Sequence, residues 1–149
     1  MSADRPGRSV SRSVVVDAPA RKVFDMLADP RQHPVIDGSG TVRASLSGPP
    51  RLHLGASFGM RMHLLAPYRI RNTVVEFDED RRIAWRHFNR HVWRYEIVEG
   101  PAGTTVTETF DWAPARAPWI LEALDVPAKN ARSMERTLEQ LKAHVEKGR

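Results

Sequence analysis

Residues 93–112 read WRYEIVEGPAGTTVTETFDW, and in this segment two alternating runs flank the turn GPAG. In the first run every second residue is bulky and apolar: Trp93, Tyr95 and Ile97. In the second run the residues that share one face are Val106, Glu108, Phe110 and Trp112. Alternation with a period of two is typical of strands that bury one face. The stretch therefore predicts an antiparallel hairpin with one carboxylate on an otherwise apolar face.

Strand patterns also occupy most of the chain before this hairpin, and helical patterns lie near both ends. The strand patterns cover residues 9–17, 41–46, 56–65, 68–78 and 81–88. Helical spacing covers residues 17–30, a short turn within 31–40, and two stretches, 117–126 and 128–148, that Pro127 is expected to separate. The parity of residues 68–78 stays open because Val74 and Val75 are both apolar. The predicted order is strand, helix, short helix, five or six antiparallel strands, long helix.

Length and composition favour one ordinary globular domain. A chain of 149 residues suits a single domain, residues 1–149, of which we expect residues 1–8 to form a flexible tail. The absence of cysteine excludes disulfides and thiolate sites and suits a cytoplasmic location. No run of about 18 apolar residues occurs, so we expect no integral membrane segment. We expect a monomer or a homodimer.

The charge and the small motifs exclude several partners. The net charge is +5, but the basic residues are scattered, so we expect no nucleic acid partner. His87 and His91 are spaced like ligands on a helix, yet they flank a predicted turn, so we expect no metal. The glycines of DGSG and GPAG match no phosphate-binding loop, so we expect no cofactor.

An antiparallel sheet of six or seven strands with one long helix hides its apolar face by curving around that helix. A curved sheet cannot touch a cylinder everywhere, so we expect a cavity between the two. Such cavities are typical sites for small molecules.

Four stretches together resemble the START-like (SRPBCC) helix-grip superfamily, specifically its polyketide cyclase/dehydrase-like branch. They are VVVDAPARKVFDMLADP, HPVIDGSG, WRYEIVEGPAGTTVTETFDW and NARSMERTLEQLKAHVE, and the likeness runs from about residue 9 to residue 147. The resemblance implies an α+β helix-grip fold, with seven strands gripping the C-terminal helix around a hydrophobic cavity and two short helices after the first strand. Relatives in this superfamily include lipid carriers and aromatase/cyclases.

Glu108 is the main candidate for chemistry, and two positions are open to it. If the strand alternates without interruption, its carboxylate enters the apolar interior, where loss of water raises the pKa towards neutrality. The alternative is a bulge near Thr107, or a position at the outer rim where the carboxylate pairs with an arginine on a neighbouring strand. The burial that Val106, Phe110 and Trp112 need favours the interior.

The hairpin around Asn89 and Arg90 also allows two registers. A two-residue turn pairs Arg86 with Trp93, whereas a three-residue loop pairs Trp85 with Trp93 or Tyr95. The longer loop is favoured because it leaves Arg86 in water.

These patterns predict a set of site residues. The candidates for proton transfer are Glu108, Tyr95 and His87. The candidates for lining the cavity are Phe24, Phe58, Met60, Met62, Trp85, Trp93, Phe110, Trp112, Asn130 and Met134. Each apolar member has the alternative of an ordinary core position.

Two functions fit this set. The first is binding or carriage of a hydrophobic small molecule, such as a lipid, polyketide or aromatic metabolite. The second is an aromatase/cyclase-type enzyme that moves protons with Glu108, Tyr95 or His87. The sequence alone does not decide whether the protein is an enzyme.

Overall fold

The computed structural model describes residues 7–147, which form one antiparallel sheet of seven strands against a long C-terminal helix. The strands are β1 (Ser9–Val16), β2 (Val42–Ser47), β3 (Ser57–His63), β4 (Pro67–Asp78), β5 (Arg82–Arg86), β6 (Val92–Gly100) and β7 (Gly103–Asp111). Their order across the sheet is β1-β7-β6-β5-β4-β3-β2. The predicted helix-grip α+β class is confirmed. The tail predicted over residues 1–8 falls mostly on residues 1–6, which lie outside the described residues.

Short helices follow β1 and precede the last helix. They are α1 (Ala20–Leu27), a 3₁₀ turn (Pro30–Gln32), α2 (His33–Ile36) and α3 (Pro118–Ala123), and the long helix is α4 (Val126–Lys147). The prediction that Pro127 separates two helical stretches needs a correction, because α4 already begins at Val126. Proline is tolerated in a first turn, where its missing N–H has no helical partner to lose. Within residues 7–147, no helix is both long and apolar enough to cross a membrane.

The strand pairing settles the register of the hairpin around Asn89 and Arg90 and the parity of residues 68–78. Trp85 pairs with Trp93, and the N–H of His87 donates to the carbonyl of His91 at 3.1 Å, which leaves a loop of residues 88–90. The predicted three-residue loop is therefore confirmed. In β4 the register shifts between Val74 and Glu76, so a bulge accounts for the two consecutive apolar residues there.

Two groups of buried side chains fill the space between the sheet and α4. The large cluster joins α1, α2 and strands β3 to β7 to the second half of α4, where Leu138, Leu141 and Val145 are buried. The small cluster consists of Phe110, Trp112, Ala115 and Met134. Trp93 is partly buried and packs against both clusters.

Candidate functional site

Glu108 lies on the inward face of β7, between the two clusters. Val106 belongs to the large cluster and Phe110 to the small cluster, and both share its parity. The pairing of β7 with β6 is continuous, so the strand has no bulge at this point. Glu108 is only 4% exposed. The structure thus places this carboxylate in the interior and not at the rim.

Tyr95 is the hydrogen-bonding partner of Glu108. The two residues are paired across β6 and β7, and the Tyr95 hydroxyl donates to Oε2 of Glu108 at 2.9 Å. The other carboxylate oxygen, Oε1, is buried and has no hydrogen-bond partner among the described residues.

Burial sets the protonation of this pair. It raises the pKa of Glu108 to about 8, while the Tyr95 hydrogen bond opposes the rise and the negative charge of Asp37 adds to it. Burial also raises the pKa of Tyr95 well above its usual range. At pH 7 Glu108 is therefore a neutral carboxylic acid with one O–H to donate.

The loop between α2 and β2 brings Asp37 towards this pair and is fastened to α4. The N–H of Gly38 donates to Oγ1 of Thr137 at 2.8 Å, and Nε of Arg136 donates to the carbonyl of Gly38 at 2.8 Å. A Cβ at Gly38 would lie 2.5 Å from the carbonyl oxygen of Ser133. Only glycine allows this close approach.

Aromatic rings form the wall beside Tyr95. Trp85 lies with its ring centroid 5.6 Å from that of Tyr95 and 5.6 Å from that of Phe58. His33 stacks on Trp85 at 4.7 Å and hydrogen-bonds through Nε2 to the carbonyl of Leu27 at 2.8 Å. Burial lowers the pKa of His33 to about 4, so it is neutral and donates this bond at pH 7. His33 was not among the predicted site residues, because a residue in a short helix has no alternation to reveal it.

The predicted lining residues divide between the two clusters. Those in the large cluster are Phe24, Phe58, Met60, Met62 and Trp85, and those in the small cluster are Phe110, Trp112 and Met134. Trp93 contacts both clusters, and Asn130 is half-buried on α4. Trp112 follows β7, and its Nε1 donates to Oε2 of Glu122 at 2.7 Å.

His87 does not join Glu108 and Tyr95. Its ring stacks on that of His91 at 4.7 Å, and His91 lies four residues before Tyr95, about 13 Å away along the strand. Burial lowers the pKa of both histidines to about 4. Within residues 7–147, no group of three or more His, Cys, Asp or Glu residues is placed to hold a metal ion.

A second buried polar group was missed by sequence reasoning. Asn72 pairs with Phe58 on the inward face, is 4% exposed, and has an Oδ1 without a hydrogen-bond partner in the described part of the chain. Its alternation with Ile70 and Val74 is a signal for an inward position. The consecutive apolar residues Val74 and Val75 obscured this pattern, because they left two possible inward faces for the strand.

Among the described residues, two surface grooves contain neither Glu108 nor any of the residues predicted to line a cavity between the sheet and α4. One has a volume of about 280 Å³ and is lined by residues 30–31 and 45–50. The other has a volume of about 500 Å³ and is lined by Arg71, Thr73, Arg86, His87, Phe88, Arg90 and Arg116. Glu108 is buried and its Oε1 is covered by the protein, so a molecule that reaches this oxygen has to displace neighbouring side chains.

Comparison with known proteins identifies relatives in sequence and in structure. Residues 7–146 match the family described as "Polyketide cyclase / dehydrase and lipid transport". Uncharacterized protein Rv0088 of Mycobacterium tuberculosis strain H37Rv is 41% identical over 97% of this chain, and MT0096 of strain CDC 1551 is 40% identical over 97%. This chain spans 66% of the length of those curated relatives.

Solved structures share the fold at low sequence identity. The crystal structure of protein Ms6760 from Mycobacterium smegmatis has a TM-score of 0.73 and 18% identity, covering 95% of this chain and 93% of that one. The AHSA1-like protein from Aeromonas hydrophila has a TM-score of 0.70 and 17% identity, covering 94% and 93%. At these identities the likeness concerns the fold alone.

Proposed function

Because this chain belongs to the polyketide cyclase/dehydrase and lipid transport family, we propose that it binds a hydrophobic small molecule between the sheet and α4. A lipid, a polyketide or an aromatic metabolite fits this description. The observation that carries the proposal is the neutral carboxyl group of Glu108, which has one unpartnered oxygen and lies between two apolar clusters. A buried O–H without a partner is costly, so a ligand with a carbonyl or hydroxyl oxygen gains by accepting it.

Entry of the ligand requires the interior to open. Methionine side chains adapt to irregular shapes, and the two clusters contain Met60, Met62 and Met134. Rearrangement of these side chains would make room for a molecule between the sheet and α4.

A matched pair of probes tests this proposal. Acetylnaphthalene carries a carbonyl that can accept from Glu108, and ethylnaphthalene has nearly the same shape without it. Tryptophan fluorescence follows the binding of each probe. One buried hydrogen bond is worth about a factor of ten in affinity, so we expect the ketone to bind about tenfold more tightly below the pKa of Glu108.

Two controls make the result decisive. The Glu108→Leu variant and the wild type above pH 8 should both lose the preference for the ketone, because neither has the donor. Equal affinity of the two probes for the wild type, or no binding of either with no apolar molecule found by native mass spectrometry, would contradict the proposal.

A second candidate function is dehydration of a β-hydroxy ketone, and the pKa of Glu108 near 8 favours it. Glu108 would give its proton to the leaving hydroxyl, which departs as water, and its carboxylate would take the proton from the carbon next to the ketone as the double bond forms. Tyr95 would hold the carboxyl group in place. His87 lies too far along the hairpin to assist this pair.

The aldol of benzaldehyde and acetone is a suitable probe, because its dehydration changes the ultraviolet absorbance. A positioned proton donor contributes about 10²–10⁴-fold to the rate, so Glu108→Gln should lose about that much. Equal rates for the wild type and this variant would leave binding as the function.

The cytoplasmic location and the monomeric or homodimeric state stay predictions. Cell fractionation and light scattering would test them.

A further inference from the structure

The larger groove lies on the outer face of the sheet, opposite the side that packs on α4. Its lining includes Arg71 of β4 and Arg86 of β5, which share the outward parity because Thr73 pairs with Arg86. Arg116 is held beside the β5–β6 hairpin, where its N–H donates to the carbonyl of Asn89 at 3.3 Å. The groove is therefore built from two strands, one hairpin and the segment after β7.

Arginines continue from the groove onto the neighbouring strand. Arg61 of β3 is paired directly with Arg69 of β4, and like charges in such a position disfavour the sheet. We call this surface the basic face, and define it by six arginines: Arg61, Arg69, Arg71, Arg86, Arg90 and Arg116. All six are exposed, and none forms an ion pair with a carboxylate within residues 7–147.

Two arginines elsewhere on the outer face do have carboxylate partners. Arg94 bonds Glu76 at 2.7 Å, and Arg82 bonds Glu96 at 2.9 Å, both farther from the hairpin. Asp111 also has the outward parity, since it pairs with Val92, and it accepts from the N–H of Ala113. Around the β5–β6 hairpin, by contrast, Arg71, Arg86 and Arg116 form no ion pair with a carboxylate of the described residues.

Exposed apolar side chains border the basic face. Leu64 and Leu65, in the turn between β3 and β4, are 68% and 98% exposed, and Phe88 in the β5–β6 loop is 71% exposed. The antiparallel pairing of β4 with β5 brings both turns to the same end of the sheet. Basic residues beside protruding apolar side chains are typical of proteins that bind at a membrane surface.

We propose that the basic face binds the surface of a membrane containing anionic lipids. The arginines contact the phosphates of the head groups, and Leu64, Leu65 and Phe88 enter the interface. Two of these three side chains, Leu64 and Leu65, are aliphatic and offer no ring on which a base could stack, which favours a membrane over single-stranded nucleic acid. Burial lowers the pKa of His87 to about 4, so the charge of the groove at pH 7 comes from arginine. This surface is separate from Glu108 and does not depend on the interior ligand.

Co-sedimentation with lipid vesicles tests the proposal. The full chain should bind vesicles of equal parts phosphatidylglycerol and phosphatidylcholine, and bind vesicles of phosphatidylcholine alone much more weakly. Molar salt should weaken the binding because it screens exposed charges. Each arginine near an anionic surface contributes about fivefold to the affinity, so the double variant Arg71→Gln, Arg86→Gln should lose on the order of 25-fold.

The matched control removes the same charge elsewhere. Arg21 on α1 and Arg132 on α4 are exposed and form no ion pair in the described part of the chain, so their double change to Gln should bind nearly as the wild type does. Leu65→Ser should weaken vesicle binding without changing the net charge. Glu108→Gln should bind vesicles normally, which separates this proposal from the interior site.

Several outcomes would overturn the proposal. They are equal binding to both kinds of vesicle, an equal loss in the two double variants, and tighter binding of a single-stranded oligonucleotide than of the anionic vesicles at equal phosphate concentration. Binding of inorganic phosphate without any binding of vesicles would also overturn it, because the groove would then be a site for a soluble anion.

Discussion

The hydroxyl of Tyr95 donates a 2.9 Å hydrogen bond to Oε2 of Glu108 across two paired strands, in the region where the large and small clusters meet. This pair is a polar element within an apolar interior. Both proposed functions depend on whether the Glu108 carboxyl group of this pair is protonated.

The wild type should lose stability as pH rises, because Glu108 has to ionise in the interior. The Glu108→Gln variant should not show this loss. The pKa of Glu108 is about 8 in the folded protein and near 4.5 otherwise, so the folded state binds more protons between these values. The free energy of unfolding should therefore fall as pH rises through this window. We expect the wild type to lose on the order of 5 kcal/mol relative to Glu108→Gln across it.

Urea unfolding at a series of pH values measures this difference. Glu139→Gln is the matched control, because Glu139 is exposed on α4. Parallel pH profiles for the wild type and Glu108→Gln would show that the carboxyl group is not buried in the neutral form.

Tyr95→Phe should raise the pKa of Glu108 further. The Tyr95 hydroxyl favours the ionised carboxylate, and the variant removes that donor while keeping the ring. Loss of this buried bond should also cost about 1–3 kcal/mol of stability. A carboxyl titration by NMR in the variant provides the test, and a lowered pKa would be inconsistent with the hydrogen bond.

Acid should destabilise the protein through three histidines whose pKa values are lowered in the folded state. The pKa values of His33, His87 and His91 are each lowered to about 4 by burial, from an ordinary value of 6.5. Their stabilising effect is complete above pH 6.5 and is lost as pH falls towards 4. Unfolding measurements should show a shallower acid slope for His33→Gln, whereas the exposed His144→Gln should keep the slope of the wild type. Equal slopes in all three proteins would refute the assignment.

Gly38→Ala should destabilise the fold because the new Cβ would lie 2.5 Å from the backbone of α4. Overpacking of this kind costs about 1–3 kcal/mol. Gly100→Ala is the control, since its Cβ would meet nothing closer than 3.8 Å. Thermal unfolding should show a lower midpoint for the first variant than for the second, and equal midpoints would contradict the close contact.

The alternation of apolar and polar residues correctly predicted which residues of β6 and β7 face the interior. The facing positions of Tyr95 and Glu108 follow from the regular alternation in residues 93–112, and the registers confirm them. The bulge in β4 was not predictable, because a register shift is decided by the partner strand and not by local composition. The same bulge concealed Asn72.

The candidate site was only partly predictable for a similar reason. Strand periodicity indicates which face a residue occupies, but it says nothing about packing between elements. The stacking of His33 on Trp85 and the approach of Asp37 to Glu108 depend on how the segment after α1 lies over the sheet. The basic face was missed because its arginines are scattered along the chain and meet only when β3, β4 and β5 pair.

Titration of the Glu108 side-chain carboxyl carbon by ¹³C NMR shows directly whether this group is a neutral hydrogen-bond donor in the interior. The signal is assigned as the one that Glu108→Gln lacks. We expect a titration midpoint near pH 8 in the wild type, with the group neutral at pH 7. A carboxylate that is already ionised at pH 6 would show that Glu108 is solvated or paired with a cation and is not a neutral donor in an apolar interior.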